Sequence, residues 1–157
     1  MAAEPTVREI MVDVFEFPHI PYWFTLRQAA GIVRNTLLGG DKPVQPLVVL
    51  VFDEKYNLVG MASLRDLLKG LEPLWSGGAA AAGGAPAGKP ASEAPIATVM
   101  RPVGAFVEPE AAVADAARLI VEHGFDLVPV LENNKKLIGV VRWQEVFREC
   151  SRTALGG

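Results

Sequence analysis

The chain reads as one pattern written twice. Val7 to Met11 (VREIM) and Ile96 to Met100 (IATVM) are both short amphipathic turns that end in methionine. A helical pattern follows each. Leu26, Ala29, Ala30, Val33 and Leu37 share one face in the first copy; Val113, Ala116, Ala117 and Ile120, closed by Gly124, do so in the second. Thr25 and Gln28 have the spacing of a capping box ahead of the first helix. Next come a strand, a polar turn and a second strand: LVVLVF, DEKYN and LVGMA, then LVPVL, ENNKK and LIGVV. Both copies close on an amphipathic helix, Ser63 to Leu71 and Arg142 to Cys150. These are apolar at Leu64, Leu67, Leu68 and Leu71, and at Trp143, Val146, Phe147 and Cys150. Each copy is therefore expected to form a βαββα unit. Units this small bury little apolar surface alone, so each needs the other.

Between the copies lies Trp75 to Pro95, almost entirely Gly, Ala, Pro and Ser, a composition that reads as a flexible linker. The expected division is a first unit over 1–74, a linker over 75–95 and a second unit over 96–157. Met11 and Gly60 stand ten residues further apart than Met100 and Gly139. Most of that excess falls in an inserted loop, Gly39 to Pro46, which costs little closure entropy and could carry function. The longest strongly apolar run, Leu47 to Phe52, is far shorter than the roughly 20 residues of a membrane-spanning helix. The start Met-Ala-Ala-Glu-Pro-Thr has no basic segment leading into an apolar one. A soluble, cytoplasmic chain is expected, without a membrane role. The single cysteine, Cys150, can form no internal disulfide, and nothing local supplies it with a base. A net charge of −3 argues against direct nucleic-acid binding.

The strand that ends in glycine, two apolar residues and then Ser-x-x-Asp is Leu58-Val59-Gly60-Met61-Ala62-Ser63-Leu64-Arg65-Asp66. Leu137 to Glu145 repeats that frame with Arg-x-x-Glu. These residues, in tandem and with matching element order, resemble a pair of CBS domains. The resemblance implies an α/β (α+β) fold of two βαββα units, packed sheet to sheet with pseudo-twofold symmetry around two clefts. In this family such clefts commonly take adenine nucleotides or S-adenosylmethionine as regulatory ligands, with no cofactor required. It also implies a homodimer formed through the terminal helices. Leu67, Leu68, Leu71, Val146 and Phe147 are candidate contacts there, although covering their own sheet accounts for part of that face.

An aspartate accepts both hydroxyls of a ribose diol, which makes Asp66 the natural sugar reader. Ser63, one turn earlier, suits a phosphate. The same Ser-x-x-Asp is also an ordinary capping box. The resemblance places the adenine wall at Val44, Pro46 and Leu47 in the first copy and at His123, Phe125 and Asp126 in the second, with Pro18 and Ala105 as an earlier pair. Phe125 reads equally as plain core. In the second copy Glu145 is a methylene longer than aspartate and fills the cleft or reaches a ribose at another depth. Arg142 replaces the small hydroxyl residue and either crowds the cleft or reaches towards phosphate, while Asp126 opposes a polyanion. One competent site is expected, on the first copy.

His19 and His123 have no metal-type partners at ligand spacing, so no metal is expected. The glycine-rich linker lacks a phosphate-loop pattern. Nor does the sequence pair a nucleophile with a base, and an enzyme is not expected. The leading reading is a module that senses AMP, ADP, ATP or S-adenosylmethionine and signals to a regulated protein not named by the sequence. The alternative is a non-binding dimerisation scaffold with degenerate clefts. The aromatic loop Phe17 to Phe24 is either a partner surface or a roof over the core.

Overall fold

Runs of β-branched residues broken by polar turns dictate hairpins, and the computed structural model, which describes residues 4–36, 45–76 and 88–156, contains one in each copy. In chain order the elements are α1 (Val7–Ile10), β1 (His19–Pro21), α2 (Leu26–Thr36), β2 (Val48–Phe52), β3 (Leu58–Ser63), α3 (Leu64–Gly70), α4 (Glu72–Trp75), β4 (Arg101–Pro102), α5 (Val113–His123), β5 (Leu127–Glu132), β6 (Lys136–Arg142) and α6 (Trp143–Ala154). The mixed α and β content and the βαββα order of both copies are as expected. Short 3₁₀ turns occupy Val14–Glu16, Ala91–Glu93 and Ile96–Thr98. Thr25 and Gln28 make the expected reciprocal cap, with Gln28 Oε1 accepting from the Thr25 N–H at 2.9 Å and Thr25 Oγ1 from the Gln28 N–H at 3.1 Å.

Two compact units emerge, and they are not the two sequence segments. One unit is Phe17–Val103; the other joins Met1–Glu16 to Gly104–Gly157. The opening turn of each copy therefore belongs to the other copy's unit.

In the unit Phe17–Val103, a four-stranded sheet runs in the order β1-β2-β3-β4, with β1 parallel to β2 and the other pairs antiparallel. Ile20, Val49, Val51 and Ala62 of the sheet and Leu26, Ala29, Val33 and Leu67 of α2 and α3 form its core, with Ala94 and Ile96. The sequence places residues 88–95 in a linker. Ala91 and Ala94 are nonetheless buried, Leu26 donates to the Ala94 carbonyl at 2.8 Å, and Ile96 donates to that of Phe24 at 2.7 Å. Two alanines and an isoleucine in a Pro-rich stretch are enough to dock it once a complementary face is present.

In the other unit β5 and β6 pair antiparallel, Val107 adds a parallel bridge to Val130, and Val12 adds an antiparallel bridge to Val140. The β5–β6 turn takes left-handed backbone at Asn133 (φ 54°) and Asn134 (φ 60°), the geometry of a tight hairpin that asparagine tolerates. Val7, Val107, Val113, Ala116, Val128, Val130, Val141 and Val146 form this core. The α1 turn is tied to it by the Val7 and Arg8 amides, which donate to the carbonyls of Ala111 and Pro109 at 2.8 and 2.9 Å. No helix among the described residues is long and apolar enough to cross a membrane.

Candidate functional site

The register of the sheet gathers the first copy's candidate residues. A single row, His19–Leu50–Met61–Arg101, crosses β1 to β4. Pro18 precedes β1, Leu47 precedes β2 and Ser63 ends β3, so all three lie at one end of the sheet. The Pro18 carbonyl accepts from the Leu50 N–H at 2.9 Å and that of Leu47 from the Leu64 N–H at 3.3 Å. Pro46 is buried beside them in sequence, and Leu47 and Pro18 are half-buried. Val44, with Gly39 to Pro43 of the inserted loop, lies outside the described residues.

Ser63 is both the last residue of β3 and the N-cap of α3. Its hydroxyl accepts from the Asp66 N–H at 3.2 Å, while Asp66 Oδ2 accepts from the Ser63 N–H at 2.9 Å and the Ser63 hydroxyl at 3.0 Å. The capping box is thus formed, and it holds Asp66, only 8% exposed and the sole buried polar or charged residue among the described residues. Its other oxygen, Oδ1, faces Arg101 Nε at 3.4 Å. Sequence reasoning missed Arg101. It belongs to no motif, and what brings it to Asp66 is its pairing with Met61 across the β3–β4 ladder.

The second copy's candidates lie in the other unit. Leu127 pairs with Arg142 at the end of the β5–β6 hairpin, and the Asp126 carbonyl accepts from the Trp143 N–H at 2.9 Å, as Leu47 does from Leu64. Asp126 is exposed and Ala105 half-buried. Phe125 packs against the core, the plainer of its two readings, and also stacks on His123 with ring centroids 5.1 Å apart. Arg142 takes the N-cap position of α6 but makes no side-chain capping hydrogen bond to that helix's backbone. Its guanidinium grips Glu145 at two points instead, Nε donating to Oε2 at 3.0 Å and Nη2 to Oε1, with both side chains largely buried. Where the first copy has a hydroxyl and a short carboxylate, the second has an ion pair that fills the same place.

Phe17 and Ile20 of the aromatic loop are buried, whereas Tyr22 and Trp23 are exposed and meet edge to face at 5.2 Å. His19 stacks on Phe52 at 4.8 Å and hydrogen-bonds the Tyr56 hydroxyl. Among the described residues no three His, Cys, Asp or Glu side chains cluster as metal ligands would. Of the proposed contact residues, Leu67 and Val146 are buried in their own units, while Leu68 and Phe147 are exposed. An apolar groove of about 590 Å³ between α5 and α6 is lined by Ile120, Val121, Trp143, Phe147 and Cys150, among others.

The family model of the CBS domain matches residues 96–152. The fold is that of a CBS-domain pair. A comparison with curated protein sequences gives no match. Among solved structures, the CBS-pair protein CBSX2 from Arabidopsis thaliana superposes with a TM-score of 0.69 at 22% identity, over 99% of this chain and 100% of that one. CBSX2 in complex with AMP gives 0.65, also at 22%, covering 95% and 98%. The CBS domain of a bacterial CNNM/CorC family Mg²⁺ transporter, in complex with ATP, gives 0.67 at 19%, covering 93% and 87%. A conserved CBS-domain protein from Thermoplasma acidophilum, TA0289, gives 0.68 at 23%, covering 98% and 74%. At these identities the likeness establishes the fold, and the candidate site rests on the residues of this chain.

Proposed function

We propose that this CBS-domain pair is a regulatory module that binds an adenosine-type ligand, AMP, ADP, ATP or S-adenosylmethionine, at Asp66 and Ser63 and passes its occupancy to a partner protein, with no reaction of its own. The observation that carries this reading is the buried Asp66 carboxylate at the β3–α3 junction. A carboxylate accepts both hydroxyls of a ribose diol, and Pro18 and Leu47, half-buried at the same end of the sheet with the buried Pro46 next in sequence, offer apolar surface for a base. The AMP and ATP complexes of CBSX2 and of the CNNM/CorC domain support a nucleotide as the ligand class.

Thermal unfolding of the wild type and of Asp66→Ala, with adenosine, AMP, ADP, ATP and S-adenosylmethionine in turn, tests it. A ligand at 100 times its dissociation constant adds about 2.7 kcal/mol, a rise of several degrees for a chain of this size. The rise is expected with at least one ligand in the wild type and none in Asp66→Ala. That variant also loses half of a capping box, so the ligand-induced shift is the readout and not the melting point itself. A wild type indifferent to all five ligands would refute the reading. Such a result would favour a scaffold without ligands, which the Arg142–Glu145 pair already suits in the second copy.

Self-association of two copies is the second part of the proposal, through the apolar groove between α5 and α6. Val121, Phe147 and Trp143 are 83%, 72% and 52% exposed, a patch of the kind that marks an interface. A second copy brings the identical patch to a twofold contact. Phe147→Asp is expected to sediment as a monomer where the wild type sediments as a dimer, and an unchanged dimer would place the contact elsewhere.

A further inference from the structure

Both oxygens of the buried Asp66 carboxylate are engaged, and the two engagements differ in strength. Oδ2 takes two donors from Ser63 at 2.9 and 3.0 Å, within the same turn of chain. Oδ1 takes Arg101 Nε at 3.4 Å, long for a charge-assisted bond, from a side chain that is 55% exposed. Water screens such a contact and yields it readily. With Oδ2 already accepting two donors, a sugar diol that donates both hydroxyls to Asp66 needs both acceptor sites of Oδ1 and so takes that oxygen from Arg101.

Arg101 cannot then leave. Its backbone is fixed opposite Met61 in the β3–β4 ladder, so the displaced guanidinium stays beside the ligand. We propose that Arg101 makes this site selective for nucleosides bearing an anionic phosphate, against the uncharged nucleoside and against a cationic sulfonium. The inference rests on the adenosine-type reading of Asp66 and names the charge its ligand must carry. A phosphate ester gives the released guanidinium a forked anionic partner in exchange for the carboxylate oxygen it lost. Adenosine takes that oxygen and returns nothing. S-adenosylmethionine brings a positive charge to the same neighbourhood, which costs more.

The second copy shows what a locked version looks like. The residue opposite Val140, in the place that Arg101 holds opposite Met61, is Val12. The arginine that pairs with Glu145 stands at the strand–helix junction itself, holds both carboxylate oxygens and is 19% exposed. A loosely held, exposed cation on a buried carboxylate belongs to the Asp66 site.

The test is isothermal titration of the full chain with AMP, adenosine and S-adenosylmethionine, using the wild type, Arg101→Ala and Asp66→Asn. A hydrogen-bonded charge pair corresponds to about 10- to 100-fold in affinity, so wild type is expected to prefer AMP to adenosine by that factor and to bind S-adenosylmethionine least. In Arg101→Ala the preference should collapse towards unity while adenosine binds as well or better, because its competitor for Oδ1 is gone. A residue with only a structural role would weaken all three ligands together. Asp66→Asn should weaken AMP and adenosine alike. In the wild type, which needs no variant to fold, added salt should erode the AMP preference, weakening AMP while adenosine binds as well or slightly better. An AMP preference that survives Arg101→Ala, or is indifferent to salt, overturns the role of Arg101 and leaves the nucleoside reading of Asp66 intact. A wild type that binds none of the three, and neither ADP nor ATP, overturns both.

Discussion

A fragment spanning residues 17–103 is expected to unfold in one cooperative thermal transition and to give a dispersed amide spectrum, whereas residues 1–74, the first copy as the sequence delimits it, are expected to do neither. The longer fragment contains every residue of its own core, from Ile20 to Ile96. The shorter one lacks Ala94 and Ile96, which are 4% and 0% exposed, and with them the strand β4 that closes the sheet beside β3. It carries residues 1–16 instead, whose partners Pro109, Ala111 and Val140 it does not possess. Removing one fully buried isoleucine costs about 2–5 kcal/mol. A unit of under 90 residues has a total stability on the order of 4–13 kcal/mol, so losing the isoleucine together with its strand is enough to unfold it. Residues 96–157 should fail for the mirror-image reason, lacking Val7 and the Val12 bridge, and addition of a peptide covering residues 1–16 should restore structure to residues 104–157. Equal folding of 1–74 and 17–103 would refute the exchanged packing of the opening turns.

The exchange also marks the limit of what the sequence discloses. The helices, the hairpins and the Thr25 cap follow from local periodicity and turn chemistry, and they stand where the pattern puts them. Which unit an opening turn joins is a long-range question. Met11 and Met100 end similar turns, and Gly60 and Gly139 offer similar slots, so neither pairing has a local signature. The alanines and prolines of residues 88–95 misled for a related reason: composition reports how little a segment buries on average, not that Ala91 and Ala94 happen to face a waiting surface. At the candidate site, the pairing of Ser63 with Asp66 was legible because three-residue spacing at a helix start is itself geometry. Arg101 was not, since 35 residues separate it from Asp66 and the sheet register alone joins them. The one sequence signal was a mismatch between the copies: the methionine of each opening turn is followed by Val12 in the first and by Arg101 in the second.

The methionine-on-glycine contacts that seal the exchange predict opposite signs for three glycine-to-alanine changes. A methyl group at Gly60 would lie 2.7 Å from Met100 Sδ and 2.8 Å from the Arg101 carbonyl oxygen. At Gly139 it would lie 2.8 Å from Met11 Sδ and 3.1 Å from the carbonyl of Val12. Both are below ordinary van der Waals separation, and overpacking of this kind costs about 1–3 kcal/mol. Gly31, by contrast, sits within α2 with nothing within 4 Å of an added methyl. Alanine there relieves the chain-entropy cost of a helical glycine and should stabilise by about 0.5–1 kcal/mol. Each kcal/mol moves the melting point of a chain of this length by about 2–4 °C, so the changes are readable by calorimetry. The two destabilised variants should also respond differently to shortening the methionine. A flexible thioether can move but a carbonyl in a strand ladder cannot. Met11→Ala should therefore relieve Gly139→Ala more than Met100→Ala relieves Gly60→Ala, where the 2.8 Å approach to the Arg101 oxygen persists. Equal rescue at both sites would mean that the side chain alone sets the cost. No rescue at either would mean that β4 and its Val12 counterpart are held away from the glycines by something other than these methionines.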